Sequence, residues 1–132
     1  MKKFVAILTL SLITGFAVHA QEDENDKIRD KMTEFIQKRL DLSRNEAERF
    51  TPVFIRYFND WRHTMREYKN DNLLRTQRIA ELRIKYRPEF RGIVGDKRSN
   101  EIYRKQDEFI RILQEQVIRA RRDNRINRKN IP

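Results

Sequence analysis

Residues 40–68 read LDLSRNEAERFTPVFIRYFNDWRHTMREY, and they contain both the start and the apolar face of a long helix. Ser43 and Glu46 stand three residues apart, as do the partners of a capping box, in which each side chain accepts a hydrogen bond from the other residue's backbone. Leu42 precedes the cap and can pack on Ala47 as a hydrophobic staple does. After the cap, large apolar side chains recur at steps of three and four, which is a helical period. They are Phe50, Phe54, Tyr57, Trp61, Met65 and Tyr68.

The same helical period predicts three further helices, over about 26–40, 73–90 and 96–122. Asn70-Asp71-Asn72 interrupts the pattern before the third helix, and the segment from Gly92 to Gly95 interrupts it before the fourth. The predicted core residues are Ile28, Met32, Phe35, Ile36 and Leu40 in the first helix, Ile79, Leu82, Tyr86, Phe90 and Ile93 in the third, and Ile102, Phe109, Leu113, Val117 and Ala120 in the fourth. We therefore predict an all-α fold of four helices.

Pro52 and Pro88 both fall inside these helical patterns. A proline inside a helix removes one backbone donor and crowds the carbonyl four residues earlier. Because the apolar stripes continue in register past both residues, the sequence predicts a kink near each proline and no break. Two kinked long helices would give an elongated, curved helical hairpin.

Composition excludes several classes of protein. The chain has 132 residues, no Cys, 3 Gly, 3 Pro and a formal net charge of +10. The lack of Cys excludes disulfide scaffolds and sites built on Cys ligands. So few glycines disfavour a nucleotide site made by a glycine-rich loop, and so few turn residues disfavour an all-β fold. Hydrophobic residues make up 38% of the chain, so each helix can bury one stripe but the core stays thin.

The first twenty residues have the layout of a secretory signal peptide. Lys2 and Lys3 are followed by the uncharged run 4–18 and by the small residue Ala20. We expect cleavage after Ala20 and a periplasmic mature protein. The expected organisation is a signal peptide over 1–20, an acidic N-terminal tail over 21–26, one helical domain over 27–122 and a basic C-terminal tail over 123–132.

The sequence offers no convincing site for catalysis or metal binding. His63 is the one histidine after the signal peptide, and no second histidine lies near it. The sequence shows no combination of Ser, His and an acidic residue that other features mark as a catalytic triad. We therefore expect a protein that is not an enzyme and that uses no cofactor, metal or small-molecule substrate.

The motif Leu42-Ser43-Arg44-Asn45-Glu46 resembles the LTxxQ motif of the Spy/CpxP family of periplasmic chaperones and envelope-stress regulators, with Ser43 and Glu46 in place of Thr and Gln. The longer stretch FIQKRLDLSRNEAERFTPVFIRYF, residues 35–58, is more similar to a branch labelled sensors of ECF-type sigma factors. Residues 86–117 resemble the C-terminal half of that branch. The resemblance implies an all-α hairpin, often dimeric, that binds unfolded clients or a stress-sensing partner. It gives a structural motif of Leu40, Leu42, Ser43, Glu46 and Pro52.

Exposed apolar residues among arginines suggest where an unfolded or stress-sensing protein would bind. At 100° per residue, Ile55 falls off the core stripe of the second helix and beside Arg62 and Arg66. Ile112 and Ile118 likewise fall off the core face of the fourth helix. These five residues form the predicted site for a client or partner. A homodimer also stays open, since a partner chain could complete the burial.

A second interpretation is a basic anion-binding protein whose target is lipopolysaccharide, an anionic membrane surface or nucleic acid. The net charge of +10 supports it. Nucleic acid is the weakest of these targets, because the chain has a signal peptide layout and no nucleic-acid motif of known form.

Overall fold

The computed structural model describes residues 24–130, which form four helices and no strand. Helix α1 covers 24–39, α2 Arg44–Glu67, α3 Asn72–Val94 and α4 Asp96–Lys129. The prediction of an all-α fold is therefore confirmed. Among the described residues, 32–130 form one compact unit, and 24–31, the first part of α1, fall in a separate unit. The predicted signal peptide and its cleavage after Ala20 lie outside the described residues.

Two local motifs join α1 to α2. The amide of Leu42 donates to the Gln37 carbonyl (3.1 Å) and that of Asp41 to the Lys38 carbonyl (3.2 Å), which is a Schellman arrangement. Asp41 takes the left-handed conformation that this motif requires, with φ 51°. Ser43 then caps α2, and both hydrogen bonds of the capping box predicted from the sequence are present.

Single polar residues or glycines set the ends of α3. Asp71 caps its first turn by accepting from the Leu74 amide (3.0 Å). The helix continues past the predicted end at Phe90 and includes Gly92. It ends at Val94, and the capping residue Gly95 has a φ of 83°, which is accessible to glycine and strained for other residues. Gly95 is also the residue before α4, so one residue connects α3 to α4.

The core lies where the aromatic face of α2 meets α3 and the start of α4. Phe50, Phe54, Tyr57 and Phe90 have no exposed surface. Their rings lie 5.3–6.1 Å apart from centroid to centroid in the contacts that join them. Ile102 brings α4 into the same core. The aromatic stripe expected on α2 is therefore the main apolar contribution to the fold.

Helix α4 has two halves with different surroundings, which we call the packed half (96–113) and the bare half (114–129). Every residue of the bare half is exposed. The predicted core positions Val117, which is 43% exposed, and Ala120 are therefore wrong, because no described element packs on them. The predicted basic tail is helical as far as Lys129, seven residues beyond the expected end at Arg122.

Both internal prolines lie within continuous helices, Pro52 in α2 and Pro88 in α3. The kinks expected at these prolines, and the curved hairpin that they imply, stay predictions. Within residues 24–130, no helix has the length and apolar character needed to cross a bilayer.

Candidate functional site

The three predicted binding residues of α2 share one face of the helix. Arg62 and Arg66 follow Ile55 by seven and eleven residues, which places all three within about 40° around the helix axis. Ile55 and Arg62 are half-buried, and Arg66 is exposed. In the described part of the chain, neither arginine has a side-chain hydrogen bond or an ion pair, so both positive charges are available to a partner.

The other three arginines of α2 are already engaged. Arg44 lies 3.4 Å from Glu48, and Arg49 donates to the Gly92 carbonyl at 3.1 Å. Arg56 donates to Glu89 at 2.6 Å, which also raises the pKa of its guanidinium through that hydrogen bond. Within the described chain, Arg62 and Arg66 are therefore the two arginines of α2 whose side chains are not already paired.

An open groove, which we call the three-helix groove, lies beside this arginine face. Its volume is about 420 Å³, and its lining is mostly apolar. Each of α2, α3 and α4 contributes to it. The lining residues are Trp61, Met65, Thr76, Ile79, Ala80, Arg83, Asp107 and Ile110. Trp61 and Met65 immediately precede Arg62 and Arg66 in the sequence, so the groove and the arginine face are adjacent on α2.

A polar cluster, formed by Tyr57, Arg83, Gln106 and Asp107, lies between the same three helices. The Tyr57 hydroxyl donates to Gln106 Oε1 at 2.5 Å, and Arg83 donates to the same oxygen at 3.0 Å. Arg83 also pairs with Asp107 at 2.7 Å. No Cα atom of α2 lies within 8 Å of a Cα atom of α4, so these long side chains bridge the two helices. The cluster therefore fixes the spacing of the walls of the three-helix groove.

Burial controls the ionisation of this cluster. It raises the pKa of Tyr57 to about 12, so the hydroxyl remains a donor at neutral pH. Burial alone would lower the pKa of Arg83, but its hydrogen bond to Asp107 and the nearby Tyr57 raise it instead. Gln106 is fully buried, and its Nε2 has no hydrogen-bond partner. Arg83 is thus a permanent cation held by both neighbours, and Gln106 is the weakest member of the cluster.

The predicted structural motif acts as an anchor between helices. Ser43 Oγ accepts from the Glu46 amide at 3.2 Å, and Glu46 Oε1 accepts from the Ser43 amide at 3.0 Å. Both carboxylate oxygens of Glu46 also accept from Arg98 of α4. These bonds, that to Arg98 first, lower the pKa of Glu46 below its ordinary value. Of the remaining motif residues, Leu40 is buried, Leu42 is half-buried and Pro52 is exposed.

The predicted residues of α4 lie apart from those of α2. Ile112 is half-buried in the packed half, whereas Ile118 is 56% exposed in the bare half. Ile118 lines a shallow groove of about 340 Å³ on one side of the bare half. The other lining residues are Arg121, Arg122, Arg125, Ile126 and Lys129. The structure therefore divides the predicted site between two surfaces.

Sequence reasoning missed the polar cluster. Gln106 stands in the α4 stripe between Ile102 and Phe109, and a polar residue at such a position was a signal of a buried hydrogen bond. Nothing in the sequence identified Tyr57, 49 residues earlier, as its partner.

His63 is exposed and lies 3.3 Å from Glu67 one turn later. Among residues 24–130, no group of three or more His, Cys, Asp or Glu side chains is arranged to hold a metal ion.

No protein-family model, curated protein or solved structure matches the chain. The resemblance to the Spy/CpxP family therefore rests on the sequence motifs alone and stays a prediction.

Proposed function

We propose that this protein is an exported, non-enzymatic binding protein that holds polypeptides without ATP. Its ligands are the apolar side chains of unfolded clients, and acidic residues near them are attracted by the arginines. The observation that carries the proposal is the open three-helix groove with the unpaired Arg62 and Arg66 beside it. The resemblance of residues 40–46 to a motif of periplasmic stress proteins supports the same function.

The groove suits weak and unselective binding. Burying one large aliphatic or aromatic side chain contributes roughly 1.5–3 kcal/mol before the loss of conformational freedom is counted. A groove of about 420 Å³ has room for few such side chains. Affinity of this size lets a client bind, dissociate and fold, so ATP is not needed to release it.

The arginine face supplies the attraction over longer distances. Arg66 is exposed and Arg62 is half-buried, so acidic side chains of a client can approach both. Arginine also stacks on aromatic rings and makes bidentate contacts with carboxylates. A stress-sensing partner domain would use the same chemistry, with the difference that it would bind with one fixed geometry.

An aggregation assay tests the proposal. Light scattering of a denatured model protein is followed with and without the folded chain at several-fold excess. We expect the wild type to suppress scattering and the double variant Arg62→Glu, Arg66→Glu to suppress it several-fold less. Circular dichroism should stay nearly unchanged, since neither side chain makes an ion pair or a hydrogen bond within residues 24–130 and unpaired surface charges contribute little to stability.

The matched control is Lys97→Glu, Arg104→Glu, which makes the same change of charge at two exposed residues of α4. This control should suppress scattering as the wild type does. If both double variants lost suppression equally, suppression would depend on the net charge of the protein and not on the face that carries Arg62 and Arg66.

A second variant, Ala80→Trp, tests the groove itself. Ala80 is exposed and lines the groove, so a large side chain there should fill the space without removing a core contact. We expect weaker suppression with an unchanged melting temperature. No suppression by the wild type would contradict a holding function and favour one specific stress-sensing partner.

A further inference from the structure

The bare half of α4 carries the most concentrated positive charge among the described helices. It has six cations and two acidic residues. All of these side chains are exposed, and none has an ion pair or a side-chain hydrogen bond in the part of the chain that the structure describes. The cations are Arg119, Arg121, Arg122, Arg125, Arg128 and Lys129. Such a concentration of exposed, unpaired cations attracts anionic partners.

Two exposed isoleucines lie among these cations. Ile118 is 56% exposed and Ile126 is 50% exposed. They are eight residues apart, which is about 12 Å along the helix and about 80° around it. Both line the shallow groove together with Arg122 and Arg125. The partner must therefore accept apolar groups beside its negative charges.

We propose that the bare half of α4 docks lengthwise on the surface of an anionic phospholipid bilayer. The cations would meet the headgroup phosphates, while Ile118 and Ile126 enter the boundary between headgroups and acyl chains. The bare half has 16 residues and is therefore about 24 Å long. The helix would lie on the bilayer without crossing it, in keeping with its lack of apolar length.

The distribution of the cations favours a lipid surface over other anions. From Arg128 to Arg119 they extend over about 180° of the helix circumference. Mobile lipid headgroups can meet charges anywhere in that arc, whereas one extended acidic peptide covers a narrower strip. Nucleic acid supplies phosphates but offers no acyl layer for the two isoleucines. A bilayer presents phosphates and an apolar layer side by side, so it can meet both the cations and the two isoleucines.

Cosedimentation of the full chain with vesicles tests this docking. One set of vesicles contains about 30% phosphatidylglycerol in phosphatidylcholine, and the other contains phosphatidylcholine alone. We expect binding to the anionic vesicles only, and binding that weakens as salt is added. Each cation near such a surface strengthens binding roughly fivefold, so Arg121→Gln, Arg122→Gln, Arg125→Gln together should weaken it roughly 100-fold.

The matched control is Lys69→Gln, Lys97→Gln, Arg104→Gln, which removes the same charge from exposed positions outside the bare half. It should weaken binding far less. An equal loss in both triple variants would overturn the proposal, because binding would then follow net charge alone.

A further variant, Ile118→Ser, Ile126→Ser, separates the apolar contribution from the charge. We expect several-fold weaker binding with the same dependence on salt. Two results would overturn the docking: no binding of the wild type to anionic vesicles at low salt, or displacement from them by equimolar polyphosphate. Displacement by polyphosphate would show that the surface binds free polyanions.

The aggregation assay above changes residues of α2 and α3, whereas the vesicle assay changes residues of the bare half of α4. Either proposal can therefore be contradicted while the other stands.

Discussion

The two halves of α4 belong to one helix but are stabilised in different ways. In the packed half, Ile102 and Gln106 have no exposed surface, and Arg98 binds Glu46 across the fold. In the bare half every side chain is exposed. The apolar stripe continues from Leu113 to Val117 and Ala120, so its presence in the sequence does not guarantee burial. A stripe is buried only where another element covers it.

The comparison also separates residues that stabilise the fold from residues that are free to bind a partner. Tertiary contacts hold the packed half, whereas the bare half depends on the intrinsic tendency of its residues to form a helix. Substitutions in the packed region should therefore change the free energy of unfolding, and substitutions in the bare half should change it little.

The largest difference is expected between Phe90→Ala and Val117→Ala. Phe90 is fully buried against the rings of Phe50, Tyr57 and Tyr103, so its truncation should lower the free energy of unfolding by about 3–5 kcal/mol. Val117→Ala should change it by less than about 0.5 kcal/mol. Urea denaturation followed by circular dichroism measures both. Similar losses would show that the bare half is covered in solution.

A smaller effect is expected from Tyr57→Phe in the polar cluster. The substitution leaves the ring in the core but removes the donor to Gln106 and one acceptor of Arg83. The loss should be about 1–3 kcal/mol in the same denaturation experiment. Tyr68→Phe, at a half-buried ring outside the cluster, is the control and should be nearly neutral. A neutral Tyr57→Phe would contradict a structural role for the cluster.

The contact between Glu46 and Arg98 predicts a pH dependence. Because the pKa of Glu46 is lower in the folded chain than its ordinary value of 4.5, its stabilising contribution is complete above that value and is lost as the pH falls below it. We expect Glu46→Gln to destabilise the protein at pH 7 and to flatten the fall in stability towards pH 3. Glu48→Gln serves as the comparison, because Glu48 pairs only with the exposed Arg44 one turn earlier. The denaturation midpoint from pH 3 to 7 measures the effect, and parallel curves for wild type and Glu46→Gln would contradict it.

The smallest effect on stability is expected from removing the bare half. A chain that ends after Leu113 loses no buried side chain among the described residues. Its melting temperature should stay within a few degrees of the wild type, while the helical signal falls in proportion to the residues removed. A large drop in melting temperature would mean that the two halves are not independent.

Local features of the sequence predicted much of the fold. The capping box at Ser43 and the stripe from Phe50 to Tyr57 depend on residues a few positions apart, and both are present. The end of α3 was predicted too early, because Gly92 reads as a helix breaker whereas the left-handed conformation falls on Gly95. The end of α4 was also too early, since no strong stop signal marks Arg122 and the helix continues through Arg125.

The candidate site was only partly predictable, because its contacts join distant parts of the chain. The helical period placed Ile55, Arg62 and Arg66 on one face of α2. It could not show that Arg56 on the same helix is paired with Glu89, 33 residues away, while Arg62 is not. Pairing across helices decides which charges are free, and only the three-dimensional arrangement shows it.

The connection through Gly95 has a consequence for the order of folding. Because one residue separates α3 from α4, contacts such as that between Arg83 and Asp107 close a loop of only 24 residues. Short loops lose little entropy on closure, and proteins rich in such contacts fold fast. Contacts of α2 with α3 close loops of similar length, such as the 26 residues between Tyr57 and Arg83, so both neighbouring helix pairs can form early. The hydrogen bond from Tyr57 to Gln106 joins α2 to α4 across 49 residues and would form last. Removing that bond should therefore speed unfolding more than it slows folding.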